Sequence, residues 1–216
     1  ALTVTTDSLG SETAIENTIG GVLAVGSLTA GGVNAADALI TNTNGLTVTS
    51  ITSSVGDDIG LVASAGNLTL PDAALNIGTG TLRILAAADG QDVLDATDTL
   101  LSNNTWTAGT LYFQSGTGES LNLAVTDIQA QISDTTGAGA GDLVIAESDG
   151  ITLTSITTAD GAVTITAGGL VDALSVVSTT DAEANDITIT TSAGNIEVDT
   201  ITAGTTAGDV TLTANT

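Results

Sequence analysis

Residues 186–216 read DITITTSAGNIEVDTITAGTTAGDVTLTANT, and this stretch decides the fold. An Ile-Thr-Ile-Thr segment at 187–190 is followed by a Gly-Asn turn and by Ile-Glu-Val at 196–198, and the pattern starts again at 209–213. Apolar residues at every second position place one side of a strand in a core and the other side in water. The stretch therefore predicts short strands that are joined by tight turns and repeated along the chain.

The strand pattern recurs about every 23 residues. Successive first strands are 23 residues apart from Ile59 to Leu82, and a second strand follows the first by eight or nine residues, as Leu68 follows Ile59. Later first strands, separated by 20, 24 and 23 residues, begin at Leu143, Val163, Ile187 and Val210. A period of this length suits one coil of a parallel β-solenoid, whereas a propeller blade needs roughly 40 residues. The 216 residues then form about nine coils of one domain, residues 1–216, and a rod roughly 45 Å long.

The composition agrees with an all-β protein. Hydrophobic residues make up 42% of the chain, but it contains only one Trp, one Tyr, one Phe and no Met. Small and β-branched side chains must therefore fill the core, and Val, Ile and Thr favour the pleated surface of a strand. Because the charged fraction is only 12% and the apolar residues are patterned, we expect a folded chain rather than a disordered one.

The charge excludes several classes of partner. The chain has 25 acidic residues and one basic residue, Arg83, for a net charge of −24. Nucleic acids and anionic membranes are bound through Lys and Arg, so neither is expected as a partner. There is no Cys or His for a transition-metal site, and no apolar run approaches the roughly 18 residues of a membrane span. If the protein is exported, its leader has been removed or lies outside this segment.

The repeat also resembles a known family. Segments such as GNIEVDTITAGTTAGDVTLTA, residues 194–214, are similar to the passenger regions of secreted bacterial surface proteins of the filamentous haemagglutinin type. The resemblance covers residues 39–85 and 141–216. It implies a right-handed parallel β-helix, an extracellular location on or near a bacterial cell, and adhesive or scaffolding work. It carries no catalytic residues to this chain.

Residues 86–142 depart from the period. The interval from Leu82 to Leu111 and the interval from Leu111 to Leu143 are both longer than one period, which predicts irregular coils or inserted loops in this segment. Loops that protrude from a solenoid are frequent sites of binding. Candidate ligand sites are therefore expected here.

An acidic cluster in this segment is a candidate site for Ca²⁺. Carboxylates recur every third residue in ADGQDVLDATD, and Ca²⁺ takes six to eight oxygen ligands. The four candidate ligands are Asp89, Asp92, Asp95 and Asp98. Their spacing matches no EF-hand loop and no Ca²⁺ nonapeptide, so a solvated acidic loop or short helix is the alternative. No other cofactor is expected.

The aromatic residues of the chain also lie in this segment. Alternation from Leu111 predicts that Phe113 points inward and Tyr112 outward, so that one ring fills a widened coil. Trp106 and Tyr112 form a candidate platform for a ligand such as a cell-surface glycan. Arg83 is predicted to face outward and to pair with a neighbouring carboxylate.

Enzyme chemistry is not expected. A polysaccharide lyase needs a strong base and cationic groups around the sugar carboxylate, and this chain has one Arg, no Lys and no His. A hydrolase needs only two carboxylates, but carbohydrate clefts present several aromatic rings, and the chain has three.

Outward threonine pairs raise an alternative function, ice binding. Pairs in a Thr-x-Thr pattern resemble the ice-binding face of antifreeze β-solenoids if they stack on one flat face. Threonine is also simply a good soluble strand former, and the pairs fall on both strand sets. The pairs are Thr47 and Thr49, Thr152 and Thr154, Thr164 and Thr166, Thr188 and Thr190, and Thr211 and Thr213.

The two ends of the chain are candidate sites of self-association. A second copy starting after Thr216 would place its Leu2 eight residues after Val210, which is the spacing between Leu143 and Ile151 inside the chain. An open β-helix end exposes unpaired N–H and C=O groups and invites another strand. We therefore expect a structural or adhesive module that stacks head to tail in a filament or tandem array. The contacts would be made by Leu2, Val4, Val210 and Leu212, and salt or divalent cations would stabilise the acidic rod.

Overall fold

The computed structural model describes residues 2–6, 12–17, 21–30, 37–54, 56–86, 88–96, 101–135 and 141–215. In these residues the chain is all-β, apart from one 3₁₀ turn at Leu101–Asn103. The strands are β1 Leu2–Thr6, β2 Glu12–Asn17, β3 Leu23–Ala30, β4 Asp37–Asn42, β5 Leu46–Val48, β6 Ile51–Thr52, β7 Ile59–Ala63, β8 Leu68–Leu70, β9 Leu75–Asn76, β10 Thr81–Ala86, β11 Val93–Asp95, β12 Thr105–Ser115, β13 Glu119–Ile132, β14 Leu143–Glu147, β15 Ile151–Thr158, β16 Val163–Ala167, β17 Val171–Ala173, β18 Val176–Ser178, β19 Ile187–Thr191, β20 Ile196–Val198, β21 Ile201–Ala203 and β22 Val210–Ala214.

The strands stack in parallel as a β-solenoid of about eight turns, which confirms the predicted all-β parallel solenoid. The predicted number of coils, nine, was too high by about one. One stack runs β2-β4-β7-β10-β12-β13, and a second runs β1-β3-β5-β8-β11. Beyond β13 the ladder divides, because β14 pairs with the N-terminal part of β13 and β15 with its C-terminal part. The first series continues as β14-β16-β19-β22, and β15 pairs with both β17, followed by β20, and β18, followed by β21. Each strand thus pairs with its counterpart one coil away.

Small aliphatic side chains from successive coils form the core. In β16 and β19, for example, Val163 and Ile165 lie directly beside Ile187 and Ile189, and none of the four is exposed to solvent. Some turns between coils leave no room for a side chain. At Gly80, an added Cβ would stand 1.9 Å from the carbonyl oxygen of Asp57, so only glycine fits between these coils.

Aspartates that precede the first strand of a coil tie neighbouring coils together. Asp58 accepts a hydrogen bond from the Thr81 N–H at 2.6 Å, and Asp142 accepts one from the Ala162 N–H at 2.8 Å. Asp186 accepts one from the Asp209 N–H, also at 2.8 Å. Charge-assisted hydrogen bonds of this kind satisfy backbone donors at the turns. Some of the acidic residues therefore have a structural role.

The irregular segment contains a coil that is shorter than the others, which we call the short coil and define as Leu111 to Ile128. Leu111 pairs with Leu82 on one side and with Ile128 on the other. Leu143 pairs with Glu119. The sequence analysis treated Leu111 and Leu143 as the same position in successive coils, and this was therefore wrong. Residues 105–115 and 119–132 are long strands rather than loops, and they pair in parallel from Thr105 beside Asn122 to Ser115 beside Ile132.

The short coil changes which strands stack on one another. After it, the face of β10 and β12 continues into β15, whereas the first-strand series β14-β16-β19-β22 builds on the N-terminal half of β13. Outward residues of β10 and of β16 therefore lie on different stacks.

Candidate functional site

The last described coil exposes apolar residues that the rest of the solenoid buries. Val210 and Leu212 in β22 are each 45% exposed, whereas their partners Ile187 and Ile189 in β19 are fully buried. Val198 in β20 is 42% exposed. Within the described residues, β22 pairs with β19 on one side and with no strand on the other. A sheet edge of this kind presents open N–H and C=O groups to another strand.

Asp209 adds a polar group to this edge. It precedes β22 as Asp58, Asp142 and Asp186 precede their own strands, and it is exposed. Each of those three carboxylates accepts a backbone N–H from the following coil. The edge therefore offers a strand-pairing ladder, two apolar side chains and a carboxylate acceptor in the same order as an internal coil. The strand at the other end, β1, pairs with β3, but the side chains of Leu2 and Val4 lie outside the described residues.

Six threonines form an array on the outward face of three strands beside this edge. In the first column Thr164 pairs with Thr188 and Thr188 with Thr211. In the second column Thr166, Thr190 and Thr213 pair in the same way. Within a column the spacing is about 4.8 Å, and the two columns are roughly 6.6 Å apart along the strands. We call these six residues the threonine array.

The other predicted threonine pairs do not join the threonine array. Thr152 lies between Asp127 and Asp172 in its ladder, and Thr154 lies next to an irregularity in the register. Thr47 pairs with Ala24 and Thr69. Only the pairs on β16, β19 and β22 therefore stack on a common face.

The predicted Ca²⁺ ligands point to different partners. Asp89 accepts from the Thr135 hydroxyl at 2.9 Å, and Asp92 accepts from the Thr117 hydroxyl at 2.8 Å. Asp95 is buried, and Asp98 lies outside the described residues. In the part of the chain that is described, no three acidic side chains come together as metal ligands.

Two buried glutamates are ionisable groups that the sequence analysis missed. Glu119 accepts from the Ser115 hydroxyl at 2.8 Å and from the Val93 N–H at 3.3 Å, and burial together with a hydrogen bond to Asp92 raises its pKa to about 9. Burial also raises the pKa of Glu147, although the N–H groups of Val125 and nearby residues oppose the shift. Alternation could have found both, since each lies at an inward position of its strand.

Asp181 is an exposed aspartate with the opposite shift. Its Oδ2 accepts from the hydroxyls of Thr206 and Thr205 at 2.6 and 2.7 Å, and its Oδ1 accepts from the N–H groups of Thr206 and Ala207 at 2.8 and 2.7 Å. These hydrogen bonds stabilise the carboxylate and lower its pKa. Asp181 therefore holds the turn before β22 to the preceding coil.

The aromatic residues lie on both sides of the coil wall. Phe113 is buried and Tyr112 faces outward, as predicted. Trp106 is only 3% exposed and packs on Phe113 with ring centres 6.2 Å apart. Tyr112 alone of the predicted platform is thus available at the surface.

Arg83 faces outward as expected, but its contact differs from the expected one. Its guanidinium lies over the Tyr112 ring, 5.7 Å from the ring centre. This cation–π contact, rather than a carboxylate, is the partner that the described residues give it.

Within the described ranges, no helix is long and apolar enough to cross a membrane. The chain matches no protein-family model, no curated protein and no solved structure. Its fold is compatible with a β-helix repeat protein.

Proposed function

We propose that this chain is a structural module of an extracellular bacterial filament or tandem-repeat adhesin, and that copies stack end to end through the last coil. The observation that carries this proposal is the exposed edge of β22. Val210 and Leu212 are half exposed there, and the equivalent residues one coil earlier are fully buried. A strand from a second copy would bury both side chains.

The proposed occupant of this edge is the first coil of a second copy. A parallel strand would continue the regular register of β16, β19 and β22. A backbone N–H group of this strand would donate a hydrogen bond to the Asp209 carboxylate. Completing the burial of each apolar side chain contributes about 1 kcal/mol, and the new backbone hydrogen bonds add to this. The extracellular setting follows from the resemblance, and the single Arg leaves one site for trypsin-like proteases.

Two matched variants test the stacking. Leu212→Lys places a charge on the edge, and Leu170→Lys places the same charge on a residue that is 43% exposed in the turn between β16 and β17. Electron cryomicroscopy and sedimentation of the purified protein should show fibres or oligomers for the wild type and for Leu170→Lys. Leu212→Lys should give isolated rods. The proposal would be contradicted if the wild type gave only isolated rods, or if both variants lost fibres and oligomers to the same extent.

The threonine array supports a second candidate function, binding to ice. Its six outward positions are neutral, and the paired positions on β14 are Val144 and Ala146, in a chain with 25 acidic residues. Each threonine presents a methyl group and a hydroxyl group at regular spacing on a stiff sheet, which can order water in a repeating pattern.

Thermal hysteresis and the shape of ice crystals test this second candidate. The wild type should slow ice growth, and Thr188→Lys, which interrupts the threonine array, should abolish the effect. Thr152→Lys is the matched control, because Thr152 is also a half-buried strand residue but lies on the other stack. Ordinary ice growth in the presence of the wild type would remove ice binding as a candidate.

A further inference from the structure

Four neighbouring strands on one side of the rod place polar side chains in two outward rows. The register puts Arg83, Tyr112, Gln129 and Ser155 side by side on β10, β12, β13 and β15. A second row on the same strands contains Leu85, Gln114, Gln131 and Thr157. The two rows line one shallow groove, which we call the Arg83 groove.

The groups of the Arg83 groove are held in place. Arg83 is exposed and stacks on Tyr112, and the cation–π contact orients the planar guanidinium. The Gln114 Nε2 donates to the Gln131 Oε1 at 2.6 Å, which fixes the two amides across neighbouring strands. Leu85, only 9% exposed, gives the groove an apolar floor.

The charge distribution is unusual for so acidic a chain. With 25 acidic residues present, its one basic side chain contacts an aromatic ring and is surrounded in the groove by neutral amides and hydroxyls. The nearest acidic residues in the ladder are Asp58, which is exposed and accepts a hydrogen bond from the N–H of Thr81, two positions before Arg83, and Asp127, two positions before Gln129 on β13. A guanidinium in this setting offers a forked donor that matches a carboxylate.

We propose that the Arg83 groove binds a carboxylate-bearing sugar, such as a uronic acid unit of a polysaccharide. Arg83 would bind the sugar carboxylate, and the amides of Gln129 and Gln131 would bind ring hydroxyl groups. A neutral sugar would leave the guanidinium without a charged acceptor, and a simple carboxylate would leave the rows of amides unused. This inference rests on the proposed adhesive function, because it names what the rod would adhere to.

Fluorescence anisotropy with labelled tetrasaccharides tests the proposal. The probes are galacturonate and glucuronate tetrasaccharides, with neutral galactose and glucose tetrasaccharides as their counterparts, in chelator and at physiological salt so that the acidic rod is screened beyond about 8 Å. The acidic probes should bind the wild type, and Arg83→Gln should weaken binding roughly tenfold or more. Val144→Gln, which adds an amide at an outward position of β14 on the other stack, should bind as the wild type does.

Three outcomes would overturn the proposal: no binding of either acidic probe, equal binding of the neutral probes, or unchanged affinity in Arg83→Gln. Thermal unfolding of Arg83→Gln shows whether the fold is intact. Electron cryomicroscopy of the same variant separates this proposal from end-to-end stacking, since Arg83 is far from β22 in the ladder. If the wild type forms fibres but binds no acidic sugar, only the sugar-binding proposal is refuted. If the wild type binds acidic sugars but remains as isolated rods, only the stacking proposal is refuted.

Discussion

Replacing Glu119 by glutamine removes a buried carboxyl group and keeps its shape. Glu119 is 6% exposed, and its Oε1 accepts hydrogen bonds from Ser115 and Val93. Asp92 is the acidic side chain that faces it, and Asp142 contributes only a carbonyl oxygen to its N–H at 2.7 Å. A glutamine at this position would keep the acceptor and donate an N–H to Asp92, as the protonated carboxyl does. The variant therefore mimics the protonated form of Glu119, which the folded protein favours.

The size of the effect follows from the pKa of Glu119. Burial raises this pKa from 4.5 to about 9, so the folded protein holds a proton that the unfolded chain releases above 4.5. The stability linked to this proton is complete below 4.5 and is lost as the pH rises toward 9. At about 1.36 kcal/mol per unit, the free energy of unfolding falls by as much as about 4 kcal/mol between roughly pH 5 and pH 8. The free energy of unfolding of Glu119→Gln should not fall by this amount over the same pH range.

Urea unfolding followed by the fluorescence of the buried Trp106 measures the difference. Experiments should begin near pH 5, because the isoelectric point is about 4.1. The control is Glu197→Gln, which removes the same charge from an exposed position on β20 and should follow the wild type. The reasoning is refuted if Glu119→Gln loses as much stability as the wild type between these pH values.

Three other perturbations test separate parts of the rod. Asp181→Asn should lower the melting temperature at pH 7, and the deficit should shrink as the pH falls below 3.8, because the stability from the lowered pKa of Asp181 is complete above 3.8 and is lost progressively as the pH falls toward the pKa in the folded state; equal deficits at pH 7 and pH 3 would contradict this. Phe113→Ala should cost about 3–5 kcal/mol in urea unfolding, and Tyr112→Ala much less, because only the first ring is buried. Raising NaCl from roughly 10 to 150 mM should raise the melting temperature by screening the acidic residues, and an unchanged value would argue against repulsion along the rod.

The parallel solenoid could be predicted from alternation and period because each coil repeats the same local rule. Ile187 and Ile189 face inward, and the threonines beside them face outward, for the reason that any half-buried strand alternates. The same rule placed Phe113 in the core and Tyr112 on the surface. These features depend on positions that are close in sequence or one fixed period apart.

The short coil could not be predicted in this way, because a constant period was assumed. Leu111 finds its partner at Ile128, less than one period later, only because two long strands stack directly on each other. Glu119 was missed because an acidic residue was not expected on the inward side, although Leu121 and Leu123 show that side clearly. The Arg83 groove depends on which strands become neighbours across the short coil, so its rows are not visible in a linear reading.

The stacking of β12 on β13 also has a mechanical consequence. Ten residue pairs join these two strands in a single strand pair, whereas the eleven pairs between the later coils are divided among three strand pairs, five in β16–β19 and three each in β17–β20 and β18–β21. Each coil is bonded only to its neighbours, so tension applied to the ends of the rod removes coils one at a time from the outside. We expect this unpeeling to pause at the β12–β13 contact, where the longest row of hydrogen bonds must break together. A rod built in this way would lengthen gradually under load and keep its centre folded.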